Sequence, residues 1–277
     1  MSSMRRRRDY FKDKAVLITG ASSGIGEELA RQLGHDGANL TLVARRRALL
    51  EHLAEDVAAN GAPKPLVVEG DVTRDGDMER AVDKSVQRWG TLDVVIANAG
   101  FGVVGPLRDL SIEDYRRQFE TNVFGVLRTI YAALPEIEKT RGNVVIIGSV
   151  AGWTSTPGTS PYAMSKFALR ALADSITPEL RLVGVKVTLI SPGFVVSNIR
   201  RVDNQGAFHP GSKDQIPAWL AVSTTRAVRQ ILKAVAKGKR EEIVTGHGRI
   251  LVALQRLAPW AIRAASGRLT AKRRHDN

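Results

Sequence analysis

The chain contains no cysteine. That excludes a disulfide scaffold, a thiolate metal site and a cysteine nucleophile, and it fits a reducing compartment such as the cytoplasm. No run approaches the ~20 apolar residues that a bilayer-crossing helix needs. A secretory leader is not expected either. Arg5 to Arg8 imitate its charged start, but Asp9-Tyr10-Phe11-Lys12-Asp13-Lys14 follows where an apolar core would have to stand. Internal repeats and low-complexity stretches are absent, and no metal site is expected.

What the chain has in excess is positive charge, 41 Lys and Arg against 28 Asp and Glu, for a formal net charge of +13. The excess sits at the two ends. Residues 1–14 carry six basic and two acidic side chains, residues 226–277 thirteen and three, and the stretch between is close to neutral. A nucleic-acid enzyme spreads positive charge over its working face, so no specific nucleic-acid partner is expected. Basic ends on a neutral body fit solvated tails that aid solubility, or attachment to anionic lipid or an acidic partner. At 277 residues, 43% apolar and 25% charged, the composition is that of a folded protein with one large domain.

From residue 15 onward, short apolar β-branched runs alternate with longer helical patterns. Strands are predicted at Ala15–Thr19, Asn39–Ala44, Pro65–Glu69, Val94–Ala97, Asn143–Gly148, Lys186–Ile190 and Glu242–Val244, and helices near 25–34, 46–59, 75–89, 112–140, 161–182 and 224–237. Strands that are apolar throughout are buried on both faces, which is the signature of a parallel sheet. The expected fold class is α/β, a doubly wound Rossmann-type three-layer fold. Its expected organisation is a basic N-terminal tail over 1–11, one catalytic domain over 12–246, and an amphipathic basic C-terminal extension over 247–277. Residues 194–218 form the longest irregular segment and are read as a substrate loop.

The first strand runs into Gly20-Ala21-Ser22-Ser23-Gly24-Ile25-Gly26 and then a helix. A glycine turn at that junction exposes backbone N–H groups at a helix start, where a pyrophosphate is favoured. The spacing is G-x-x-x-G-x-G rather than the commoner dinucleotide fingerprint. The second strand ends at Ala44 and is followed by Arg45-Arg46-Arg47, where an acidic residue would bind a ribose 2′-hydroxyl. Guanidinium groups there suit a 2′-phosphate in fork geometry, which favours NADP(H) over NAD.

Tyr162 and Lys166 stand one helical turn apart and share a face. A neighbouring ammonium stabilises a phenolate, so such a tyrosine can exchange a proton near neutral pH. Ser149 lies at a strand's carboxyl end, where ligands bind in open α/β sheets. Asn122, inside a long apolar helical pattern, is either a satisfied core amide or part of a water-linked relay.

Together with Asp71-Val72, Asn98-Ala99-Gly100 and Ser191-Pro192-Gly193, these motifs resemble those of the classical short-chain dehydrogenase/reductase family, over roughly residues 12–245. The resemblance implies a seven-stranded parallel sheet and a dimer or tetramer built through the long helices. It implies that Tyr162 is the catalytic acid/base, that Ser149 anchors the substrate oxygen, that Lys166 binds the nicotinamide ribose and lowers the tyrosine pKa, and that Asn122 holds the relay water. It further implies that Asp71, with Val72, contacts adenine, and that Asn98, with Ala99 and Gly100, stabilises the central strand beside the cofactor. Arg45, with Arg46 beside it, matches the position of 2′-phosphate binders. Pro192, Gly193, Val195 and Ser197 fall at the nicotinamide end, Ser197 standing where many members have threonine.

Beyond residue 247, Arg249, Arg256 and Arg263 recur every seven positions among Ile250, Leu251, Val252, Leu254, Leu257, Trp260 and Ile262. An arginine stripe beside an apolar face suits a helix lying in a membrane interface, peripheral on the inner membrane surface, or one that covers the pocket or a partner subunit. Pro259 should kink or divide it. The expected activity is NADP(H)-dependent carbonyl–alcohol interconversion on a small molecule of lipid- or steroid-like character. The alternatives are a 3-oxoacyl-carrier-protein reductase and a non-catalytic membrane-associated binding protein on the same fold.

Overall fold

The computed structural model of the protein describes residues 3–196, 203–206, 220–260 and 262. Seven parallel strands form one sheet: β1 Ala15–Thr19, β2 Asn39–Ala44, β3 Leu66–Glu69, β4 Val94–Ala97, β5 Asn143–Ile147, β6 Lys186–Pro192 and β7 Glu241–Val244. Their order across the sheet is β3-β2-β1-β4-β5-β6-β7. The direction of winding reverses between β1 and β4, and a crevice opens beyond the carboxyl ends of those strands.

Alternate residues of each strand enter opposite cores. Val16 and Ile18 of β1, Leu40 and Leu42 of β2 and Ile96 of β4 pack with helices α2 (Gly24–His35), α3 (Arg47–Ala59) and α8 (Thr224–Ala236). Leu17, Val43 and Val95 pack with α4 (Asp77–Trp89), α6 (Gly125–Thr140) and α7 (Ser160–Arg181). This two-sided burial explains why the central strands β1 and β4 are apolar throughout but for Thr19.

One expectation is corrected and two are sharpened. The N-terminal stretch is not a solvated tail: Ser3–Phe11 forms helix α1, with Phe11 fully buried. Arg7, itself buried, donates to Asp36 on α2's C-terminal side (Nη2 to Oδ1, 2.8 Å) and to Gln32 (2.9 Å). The helix expected over 112–140 is present and carries a π turn inside it: α5 (Ile112–Phe119), the π turn over Glu120–Phe124, and α6. The terminal extension begins as helix α9, Gly246–Leu257, which stops before Pro259. Of the irregular segment 194–218, only residues 194–196 and 203–206 are among those described.

Candidate active site

A cleft of about 1710 Å³ lies over the carboxyl ends of the central strands. Its first half is the glycine turn. Gly20 and Gly24 adopt left-handed backbone (φ +65° and +60°), which favours glycine. A Cβ on Gly26 would stand 2.3 Å from the Gly20 carbonyl oxygen and 2.7 Å from Asn98 Nδ2, so only glycine lets α2 approach the turn. Asn98 fixes the turn from the other side, donating through Nδ2 to the carbonyls of Thr19 (2.9 Å) and Gly20 (3.2 Å). Thr19 completes the clamp: its hydroxyl accepts from the N–H groups of Asn98 and Ala99, each at 3.1 Å.

Ser22, Ser23, Gly24 and Ile25 face the cleft, as do Arg45 and Arg46. Arg46 folds back over the turn and donates to the hydroxyls of Ser22 (2.9 Å) and Ser23 (3.1 Å). Burial and the neighbouring Arg45 push its guanidinium below the usual value. Arg45 lies 4.0 Å from Asp71, which in turn accepts from the N–H (3.0 Å) and hydroxyl (2.9 Å) of Thr73. Arg47, the third arginine of the run, is turned away and pairs with Glu51 at 2.7 Å. Asp71, Val72, Asn98, Ala99 and Gly100 line the wall next to this end.

The second half holds Ser149, Tyr162 and Lys166, together with Pro192, Gly193 and Val195. Tyr162 and Lys166 are both on the first turns of α7, and the lysine Nζ lies 5.8 Å from the centre of the tyrosine ring. Lys166 is buried, which pushes its ammonium down to about 8. Its charge is met by the Ile147 carbonyl at 3.0 Å. Gly102 brings the opposite wall against the Tyr162 ring, where an added Cβ would sit 3.6 Å away. Ser149 follows β5 and its hydroxyl accepts the Ala151 N–H at 3.1 Å.

Two expected site residues lie behind the wall rather than on it. Gly26 is part of the cradle's support. Asn122 is fully buried in the π turn, where its Oδ1 accepts the Phe101 N–H (3.1 Å) and its Nδ2 donates to the Phe101 carbonyl (3.0 Å) and to Ser165 Oγ (3.2 Å). The amide is satisfied, and it ties the loop after β4 to α7. Ser197 lies outside the described residues.

Arg249 and Arg256, both more than half exposed, lie on one side of α9 and reach back to the carboxylates of β7. Arg249 pairs with Glu242 and donates to the Ile243 carbonyl at 3.0 Å. Arg256 lies 3.6 Å from Glu241 and stacks on Trp153 at 4.3 Å, opposite Arg170 at 3.5 Å. Val252 is buried against Val150 and Trp153, and α9 thus covers one end of the cleft with Leu251 and His247. Its outer side carries exposed Ile250, Leu254 and Leu257. Arg263 lies outside the described residues. Phe194 falls within the segment read as a substrate loop, and Gly102 follows the Asn98-Ala99-Gly100 motif by two residues. Thr19, His247 and Leu251 carry no such signal: Thr19 acts from the end of β1, and the other two are brought in from the C-terminal helix.

The geometry is that of a dinucleotide-binding oxidoreductase fold. The model of the short chain dehydrogenase family matches residues 14–207, and the chain belongs to that family of oxidoreductases, whose members bind a nicotinamide cofactor. It is 34% identical to the bovine protein called dehydrogenase/reductase SDR family member 7B, over 98% of this chain and 86% of that one. It is 35% identical to 11-beta-hydroxysteroid dehydrogenase A of Sesamum indicum, over 82% and 67% of the two chains. Among solved structures it resembles an alcohol dehydrogenase of Thermococcus sibiricus complexed with 5-hydroxy-NADP, with TM-score 0.72 and 29% identity over 83% of this chain and 95% of that one. Among the described residues, no helix is long and apolar enough to cross a membrane.

Proposed function

We propose that the protein is an NADP(H)-dependent oxidoreductase that interconverts a carbonyl and an alcohol on an apolar, lipid- or steroid-like substrate. The observation that carries this reading is the single cleft in which a glycine cradle, two cleft-facing arginines, and the Ser149, Tyr162 and Lys166 side chains meet. The residues present fit a dinucleotide. The cradle is closed to any Cβ at Gly26, and the N–H groups at the start of α2 face the space a pyrophosphate would take. Arg45 and Arg46 crowd one another in a way that an anion would relieve, which supports a 2′-phosphate. When bound, the nicotinamide supplies or accepts the hydride.

The chain's own groups manage the oxygen. Tyr162 gives its phenolic proton to the forming alkoxide in reduction, or takes the hydroxyl proton in oxidation. Lys166, charged, lowers the cost of the phenolate, and a phenolate in turn holds the lysine charged against its burial. The Ser149 hydroxyl orients the substrate oxygen. Asn122 positions this group by tying Phe101 and Ser165 together. Val104, Leu107 and Leu251 give the substrate end an apolar lining, and the steroid dehydrogenase named among the relatives supports an apolar ketone as substrate.

Tyr162→Phe tests the assignment. Turnover of an apolar ketone with NADPH should fall roughly 1000-fold, within the range a positioned acid contributes, while NADPH still binds by fluorescence titration. Activity near wild type would refute the role of Tyr162.

A further inference from the structure

We propose that His247 is a positioning residue that latches the Gly193–Val196 segment at the substrate end of the cleft, and that the latch opens when the imidazole is protonated. The proposal deepens the oxidoreductase reading, since it assigns a function to the wall beside Tyr162 and rests on that reading for its effect on turnover.

The observations converge on one ring nitrogen. His247 Nε2 accepts the backbone N–H of Phe194 at 3.0 Å. The same nitrogen lies 3.1 Å from the Thr245 hydroxyl, which itself accepts the Gly248 N–H at 3.2 Å and so has its proton to donate. The imidazole also stacks on the Phe194 ring, with centroids 5.5 Å apart and planes at 21°. Both rings line the cleft. The packing leaves no slack: a Cβ on Gly193 would meet Thr245 Oγ1 at 2.4 Å and His247 Nε2 at 2.6 Å. Thr245 holds a backbone φ of +94°, a region that β-branched residues rarely adopt, so the chain bends against its preference to bring both side chains to this point.

The rest of the segment is anchored by backbone bonds that do not titrate. Gly193 N–H donates to the Val244 carbonyl (3.0 Å), Val196 N–H to the Val222 carbonyl (3.0 Å), and Val222 N–H to the Phe194 carbonyl (2.9 Å). Among the bonds described for Gly193, Phe194 and Val196, the one to His247 is therefore the anchor that pH can remove. A neutral ring with its proton on Nδ1 accepts at Nε2; a doubly protonated ring presents a donor to a donor. Burial holds the imidazole below its ordinary value. The ionisable groups on the surrounding elements are engaged elsewhere: Glu242 with Lys239 and Arg249, Glu241 with Arg256, and Lys166 with the Ile147 carbonyl across the cleft beside Tyr162. None of these carboxylates forms an ion pair with the ring among the described residues. The latch is thus closed above the imidazole's titration and lost as pH falls through it.

Hydrogen exchange of the Phe194 amide in the unliganded full chain reads the latch directly, whatever the protein binds. Compared with wild type at pH 7.5, His247→Phe, which keeps the stack and removes the acceptor, should exchange about 10-fold faster. His247→Gln, which restores an acceptor that does not titrate, should recover most of the protection. After correction for intrinsic exchange, wild type should lose protection as pH falls through the imidazole titration and His247→Gln should not. In turnover, the acid limb of kcat/KM for an apolar ketone should carry the same histidine dependence, with KM for the ketone raised in His247→Phe. Equal protection in wild type and His247→Phe, or an acid loss that persists in His247→Gln, overturns the latch. The expected exchange pattern in a protein that binds no NADPH would leave the latch standing and overturn the oxidoreductase reading instead.

Discussion

The two halves of the cleft are built on different principles. The dinucleotide half is assembled from residues at the carboxyl ends of neighbouring strands, each carried on a short consecutive motif, and locked by Thr19 and Asn98. It is polar and carries positive charge: Arg46 donates to serine hydroxyls and Arg45 lies 4.0 Å from Asp71, while Lys166, where the two halves join, is met by a carbonyl. The substrate half mixes apolar Val104, Leu107 and Leu251 with polar Arg117 and Thr154, and its parts come from far apart in the chain. Val104 is bonded to Asn204 (N–H to Oδ1, 3.0 Å), and Phe194 to His247. The contrast suggests that the first half is shaped for one anionic cofactor at some cost to the unliganded protein, while the second can change its specificity by small local substitutions.

The largest expected effect tests the charge of the first half. Replacing Arg45 by Asp and Arg46 by Ser should shift the ratio of kcat/KM for NADPH over NADH about 100-fold toward NADH, the loss of one to two charge-assisted hydrogen bonds. Steady-state kinetics with both cofactors measures it. Because the carboxylate introduced at position 45 would face Asp71, absolute rates should fall with both cofactors, and the ratio is the informative quantity. An unchanged ratio would break the claim that the two guanidiniums are there for a phosphate.

The next effect tests the cost to the unliganded protein. Lys166 holds its folded-state pKa near 8, against an ordinary 10.5. Below pH 8 the cost of burying this charge is fully present, and it shrinks as pH rises through the window from 8 to 10.5, where the folded lysine is neutral and the unfolded one still charged. Wild-type stability should therefore gain about 2 kcal/mol from this group between pH 7.5 and 9.5. Urea denaturation of wild type and Lys166→Met at the two pH values isolates the contribution. Equal pH dependence in the two proteins would mean that the lysine is not strained by its burial.

The same contrast decides what could be read from the sequence. Strands such as β1 and β4 were legible because a parallel strand buried on both faces must be a short apolar run, and the glycine turn because its conformations exclude side chains locally. The π turn at Asn122 was not, since one added residue per turn leaves the apolar spacing of 112–140 nearly intact. Four arginines in a row read as a solvated tail; that one of them, Arg7, enters the protein depends on Asp36 lying 29 residues away on the next helix's C-terminal side. The seven-residue spacing of Arg249 and Arg256 was visible, but their direction was set by Glu241, Glu242 and Trp153, which no local pattern links to them. His247 gave no signal at all, because its meaning lies in a contact across 53 residues.

The smallest expected effect separates the halves most cleanly. Leu251 reaches the cleft from α9 and belongs to the small cluster around Val150, Trp153 and Val252. Truncating it in Leu251→Ala removes apolar surface that only an apolar substrate would cover, a loss of roughly 1.5 kcal/mol or about 10-fold in KM. The effect should appear with a large, rigid ketone and vanish with a small polar one, and NADPH affinity should stay within about 2-fold of wild type, since α9 makes no part of the glycine cradle. Because a leucine that merely supported the fold would weaken both ketones and the cofactor together, the comparison of the three constants is what distinguishes a substrate wall from a structural one.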